Sequence, residues 1–216
     1  MPQWIANVRA VIFDWDGTLL DSYHADMAAY VAMFRSLGIS WGEEELRRHY
    51  SPNWHQIYRA ARLPQKSWKR ADRLWRLHYA RQNAPLLPGA ETAIAALRAR
   101  FKLGLVTSGS RSRVLRQLRA FELTRVFSAR VYSESVARKK PHPAPLAYAL
   151  SKMRVLASEA VYVGDTPEDV EMARRAGVRA IAVMGPFPTH ERLRAARPYA
   201  LLKSVEFLPE MLNLTG

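Results

Sequence analysis

The chain has 216 residues, 49% of them apolar, no cysteine, and a formal net charge of +14. That length can bury a sizeable core, as one domain or as a domain with a smaller insert. The lack of thiols excludes disulfides and cysteine chemistry and fits a reducing cytoplasm; no uncharged apolar run nears the roughly eighteen residues of a membrane span. The N-terminus leads almost directly into an apolar run, leaving no room for a secretory signal, so a cytoplasmic location is expected. The basic excess is mostly Arg, scattered through nearly every predicted helix. With no nucleic-acid-binding motif visible, it reads as a solvated surface whose field favours small anionic ligands over nucleic acid.

Residues 8–13 form an apolar run that reads as a buried strand and stops at Asp14. Asp is depleted in strands, and positions two apart point to the same side, so Asp14 and Asp16 project together. Two like charges that close share a proton or gather a cation. Gly17 then supplies a turn. Residues 22–37 carry Tyr23, Met27, Tyr30, Val31, Phe34 and Leu37 at helical spacing, with Gly38 as the stop. Residues 43–49 run from acidic to basic, as a short helix prefers. Ser51 and Pro52 open a third helix with Trp54, Ile57, Tyr58 and Ala61 on one face. Ser67 opens a longer one carrying Trp68, Ala71, Trp75 and His78, and Pro85 and Pro88-Gly89 close this all-helical stretch.

From Gly89 the texture changes to alternation. Helices are predicted over 90–100, 110–121, 145–157 and 167–176, and strands over 102–107, 130–132, 160–164 and 179–183. Thr189 caps one more helix, and 199–202 and 205–212 finish the pattern. Such alternation means a parallel sheet covered on both faces, with ligands beyond the carboxyl ends of the strands. The fold expected is α/β, a Rossmann-like core over 1–17 and 88–216 with an all-α cap inserted at 18–87. The hinges fall at 18–20 and 84–88.

The strand ends carry the chemistry. Thr107-Ser-Gly-Ser110 offers a hydroxyl and free N–H groups at a helix N-terminus, a phosphate cradle, although an ordinary Ser N-cap gives the same letters. Ser108, with the Gly109 amide beside it, is preferred over Thr107. Pro141 fixes the backbone around Lys140. Asp165 stands at a strand end with Asp169 one helical turn later. Capping also accounts for Asp165 and Thr166, as a first-turn acid on the helix dipole does for Asp169.

Taken in order, Asp14-Trp-Asp16-Gly-Thr-Leu-Leu-Asp-Ser22, the hydroxyl after residues 102–107, Lys140-Pro141 and Gly164-Asp165-Thr-Pro-Glu-Asp169 resemble the four signatures of the haloacid dehalogenase-like superfamily. The helical insert resembles that of the subgroup containing phosphoglycolate phosphatases, β-phosphoglucomutases and phosphonoacetaldehyde hydrolases, and Lys140-Pro-His-Pro143 with the C-terminal half looks most like the phosphoglycolate phosphatase-like branch. The resemblance implies a Mg²⁺-dependent phosphatase acting through an aspartyl-phosphate on small anionic monoesters, 2-phosphoglycolate first among them. Asp14 is then the nucleophile and Asp16 the acid and base. Asp14, Asp16, Asp165 and Asp169 form the metal set, with Asp16 contributing mainly its backbone carbonyl. Ser108, Gly109 and Lys140 hold the phosphoryl oxygens.

Many relatives carry Asp where this chain has Ala144, which alters a helix cap. Dehalogenases and phosphonate hydrolases of the superfamily lack the carboxylate of Asp16, and its mutases carry a His where Asp26 stands here, two residues after His24. A β-phosphoglucomutase-like phosphotransferase, or a basic nucleic-acid-binding protein on the same scaffold, are the alternatives. In the insert, residues 50–54 are the candidate substrate loop. Arg48 and His49, just before it, could meet a carboxylate or second phosphate, and a solvated helix end accounts for them as well. A monomer or homodimer is expected.

Overall fold

Strand β1 (Ala10–Phe13) has all four residues buried, as a central parallel strand must when helices cover both its faces. It lies inside a six-stranded sheet with β2 (Lys102–Val106), β3 (Ala129–Val131), β4 (Ala160–Gly164), β5 (Arg179–Val183) and β6 (Ala200–Leu202). The order is β3-β2-β1-β4-β5-β6, and every pairing is parallel. The computed structural model describes residues 3–51 and 53–214.

The register matters more than the order. Phe13 stands opposite Leu105 on one side and Val163 on the other. The segments after β1, β2 and β4 therefore leave the sheet at one level, beside the point where strand order reverses. In an open α/β sheet that is where a ligand crevice forms. Helices α6 (Ala90–Arg98), α7 (Arg111–Ala120), α8 (Ala144–Met153), α9 (Pro167–Arg175) and α10 (His190–Ala195) accompany the strands. One core cluster joins Ile12, Val106 and Tyr162 of the sheet to Leu146 and Met153 of α8 and to Val170 and Met172 of α9.

Residues 22–85 form a second compact unit. It holds α2 (Tyr23–Ser36), α3 (Glu43–Arg48), α4 (Trp54–Ala60) and α5 (Trp68–Tyr79), and no strand among its described residues. Small Ala25 and Ala29 on α2 let Tyr79 of α5 close against them, with Trp75 packed on the cluster. Polar ties fix the pairing. The Trp75 indole donates to Asp26 at 3.1 Å, and the Tyr58 hydroxyl of α4 donates to Asp72 of α5 at 2.9 Å.

Several predicted boundaries move, each for a local reason. A short helix, α1 (Gln3–Ala6), precedes β1, which starts only at Ala10. Trp54, expected on the inward face of its helix, is the first residue of α4 and is 36% exposed. Asn53 caps α4 by accepting the His55 N–H at 3.2 Å; Pro52 lies outside the described residues. At the start of α8, His142 Nδ1 accepts the Ala144 N–H at 3.1 Å, so the imidazole supplies the cap that Ala144 lacks. Thr189 precedes α10 without capping it, because its hydroxyl is committed elsewhere. Among the described residues no helix is long and apolar enough to cross a membrane.

Candidate active site

Asp14 leaves β1 with its N–H donated to the Val163 carbonyl at 2.8 Å, which extends the β1–β4 ladder and fixes its origin. One carboxylate oxygen from each of Asp14, Asp165 and Asp169 lies within 4.8 Å of the others, and all three residues are buried. Lys140 enters from the loop before α8. Its Nζ is 2.7 Å from Asp14 Oδ1 and 2.8 Å from Asp169 Oδ1. The preceding Lys139 turns away to the backbone carbonyls of Ser133 and Val136.

Asp169 is fully engaged. Its Oδ2 accepts the Thr166 N–H at 3.2 Å and the Thr166 hydroxyl at 2.7 Å, closing a capping box on α9. Its Oδ1 takes the Tyr162 hydroxyl at 2.9 Å besides Lys140. Cap and site anchor are thus one side chain. Asp165 is different. Its Oδ1 accepts the Thr18 hydroxyl at 3.0 Å and its carbonyl accepts the Thr189 hydroxyl at 2.9 Å. Its Oδ2 is buried with no hydrogen-bond partner. Two glycines keep that side open. A Cβ on Gly17, whose φ is +78°, would fall 2.3 Å from Oδ2, and one on Gly185 would fall 2.8 Å from it.

Three buried carboxylates here face one ammonium. Burial pushes Asp14 up to about 7, with Lys140 opposing and Asp169 adding to the rise. Burial also drives Asp165 well above the usual carboxylate range, and Asp14 and Asp169 raise it further. For Lys140 burial works against the charged form, yet Asp14 and Asp169 outweigh it and hold the ammonium protonated above its usual range. The imbalance is one that a divalent cation removes. Oxygen donors suit Mg²⁺, and the unpartnered Asp165 Oδ2 lies in a cradle that any Cβ would fill. These residues fit the metal.

The Asp16 carboxylate stands outside that trio. Both of its oxygens face Arg113 of α7, at 2.8 Å from Nη1 to Oδ1 and 2.6 Å from Nη2 to Oδ2. Arg113 also reaches Gln117 Oε1 at 3.4 Å, and that oxygen accepts the Trp15 indole N–H at 3.0 Å.

At 107–110 the two adjacent hydroxyls face different ways. Thr107 is buried and its oxygen accepts the Gly109 N–H at 2.9 Å, while Ser108 is exposed. The amide expected beside Ser108 is therefore already engaged, and Thr107 is the inward hydroxyl with a proton to give. In the helical unit Arg48 pairs with Glu44 at 3.0 Å, with both side chains more than half exposed. His49 stacks on Trp41 at 5.3 Å and 22°.

Arg113, Thr18, Tyr162 and Gly185 were not singled out by sequence as parts of the site. A Tyr within the apolar run 160–163 carries a faint signal, since a buried phenol needs a partner. Thr18 stands inside the first signature but reads there as a hinge.

Residues 11–183 match the family described as haloacid dehalogenase-like hydrolase. A phosphoglycolate phosphatase of Cupriavidus necator is 31% identical over 94% of this chain and 93% of its own. A pyrophosphatase PpaX of Bacillus pumilus is 28% identical over 94% and 95%. The solved structure of CbbY from Rhodobacter sphaeroides in complex with phosphate has a TM-score of 0.77 at 27% identity, covering 93% of this chain and 96% of that one. With the family match running from β1 through β5 and taking in all four of the strand-end clusters, the chain belongs to the haloacid dehalogenase-like hydrolase family.

Proposed function

We propose that the protein is a Mg²⁺-dependent phosphatase of small anionic phosphate monoesters, with 2-phosphoglycolate the leading substrate. The observation that carries this reading is the unpartnered, buried Asp165 Oδ2 beside Asp14 and Lys140. The relative named phosphoglycolate phosphatase supports the substrate class, and the one named pyrophosphatase supports hydrolysis of a small phosphorylated anion.

In this reading Asp14 is the nucleophile. Lys140 holds its Oδ1 and so sets the plane from which the carboxylate attacks phosphorus, forming an aspartyl-phosphate. The Lys140 ammonium and the Thr107 hydroxyl lie where they can meet phosphoryl oxygens as charge spreads over them. Asp16 gives a proton to the leaving oxygen as the P–O bond breaks. It then takes one from the water that attacks the aspartyl-phosphate, returning Asp14 as carboxylate. Asp14, Asp165 and the backbone carbonyl of Asp16, steadied by Asp169, would hold Mg²⁺, which when bound offsets the negative charge of phosphate and nucleophile. The helical insert is proposed as the cap that restricts leaving groups to small ones.

The purified protein should hydrolyse 4-nitrophenyl phosphate with Mg²⁺ and lose that activity in chelator. Asp14→Asn should reduce kcat by at least about three orders of magnitude. Turnover at the wild-type rate in that variant would overturn the mechanism.

A further inference from the structure

We infer that Arg113 is the residue that selects the leaving group, favouring substrates whose leaving group bears a second anion close to the scissile oxygen. The inference rests on the phosphatase reading and names the residue through which that site would favour an anionic leaving group.

The geometry is that of a closed clasp. A guanidinium and a carboxylate meet fork to fork at 2.8 and 2.6 Å, with side chains only 12% and 26% exposed. Planar two-point pairing of this kind is among the stronger charge-assisted contacts. The guanidinium also lies against the phosphate loop, because a Cβ on Gly109 would sit 2.3 Å from Arg113 Nη2. Arg113 therefore spans the two places that a phosphate ester must occupy, the loop that takes the phosphoryl group and the carboxylate that meets the leaving oxygen.

A conflict follows. To act as an acid Asp16 must bring an oxygen within hydrogen-bond reach of the leaving oxygen. Both oxygens are now held by Arg113. At least one of those contacts must be surrendered so that Asp16 can take up a proton from solvent; as the Asp14–P bond forms and the leaving P–O bond breaks, that proton passes to the departing oxygen. A largely buried guanidinium that gives up a carboxylate needs another anion in exchange. A carboxylate or phosphate one or two bonds beyond the scissile oxygen supplies it at the required place. A hydroxyl or a methyl group does not. The compensation arises as Asp16 moves, so it enters kcat as well as KM.

The test compares kcat/KM for 2-phosphoglycolate and for 2-hydroxyethyl phosphate, its neutral counterpart, with 4-nitrophenyl phosphate as a check on activity. Wild-type enzyme should prefer the carboxylated ester by at least about tenfold, the size of one charge-assisted hydrogen bond. Arg113→Gln should bring the ratio toward one, and Arg113→Lys, which keeps the charge without the fork, should fall between. A wild-type preference below about threefold overturns the inference, whether or not either variant folds. So does a ratio that stays at the wild-type value in Arg113→Gln, since a purely structural role would lower both substrates together. If wild-type enzyme with Mg²⁺ cleaves none of the three esters, the phosphatase reading falls first and the inference with it.

Discussion

Two hydroxyls orient the candidate metal ligands, one from Thr18 on Asp165 and one from Tyr162 on Asp169. Neither hydroxyl needs to touch the metal to matter, because partners behind a ligand set its direction and basicity. Thr18→Val and Tyr162→Phe should each weaken Mg²⁺ binding by about tenfold or more while leaving the fold in place. Titration calorimetry reads the first effect and circular dichroism the second; unchanged affinity in both variants would remove these hydroxyls from the site. The same residues show what a sequence reveals. Asp14, Lys140, Asp165 and Asp169 were legible because each sits within a few letters of a strand end, a Pro or a Gly. The pairing of Asp16 with Arg113 was not, since 97 residues separate them and only the β1–β2 neighbourhood brings them together. Nor was the inward turn of Thr107 and outward turn of Ser108, because two adjacent hydroxyls at a strand end read alike.

Helices and strands were legible in type and blurred at their ends, and the blur has physical causes. Strands β4 and β5 fall on 160–164 and 179–183 as periodicity predicts, because both are bounded by clear helix signals. Helix α1 escaped because four residues carry no period to read. Thr189 has the right letter for a cap, but the Asp165 carbonyl claims its hydroxyl, a tertiary contact overriding a local one. Within the helical unit, the Tyr58–Asp72 bond ties α4 to α5, and Tyr58 is 1% exposed. Tyr58→Phe should lower the unit's stability by about 1–2 kcal/mol in urea unfolding, since a hydrogen bond to a charged acceptor is lost. His49 stacks on Trp41, so His49→Ala should loosen the same packing. Its KM values for 2-phosphoglycolate and for 4-nitrophenyl phosphate should then move together. A selective rise for the carboxylated ester would instead assign His49 to the substrate.

The molecule carries +14 overall, yet the strand ends around Asp14 concentrate three buried carboxylates against one ammonium. A surface that attracts anions thus surrounds a centre that lacks positive charge, and binding Mg²⁺ should stabilise the fold by mass action. The thermal midpoint should rise by several degrees with saturating Mg²⁺, and Asp165→Asn should abolish the shift. Without metal the cost of burying these carboxylates depends on pH. Asp14 is raised to about 7 and Asp165 well above the carboxylate range, each chiefly by burial. In the unfolded chain both lose their protons near pH 4. Above that pH the folded form binds more protons than the unfolded one, so stability falls as pH rises toward and through the folded values. Asp165→Asn removes one of the two groups while its amide oxygen can still accept from Thr18. In chelator the variant should therefore melt above wild type at about pH 7.5, and the gap should narrow on going down to about pH 5. A gap that is constant across that range, or that favours wild type, would mean that Asp165 is not held against its charge by burial. The metal would then bind for reasons other than the deficit of positive charge around Asp14 and Lys140.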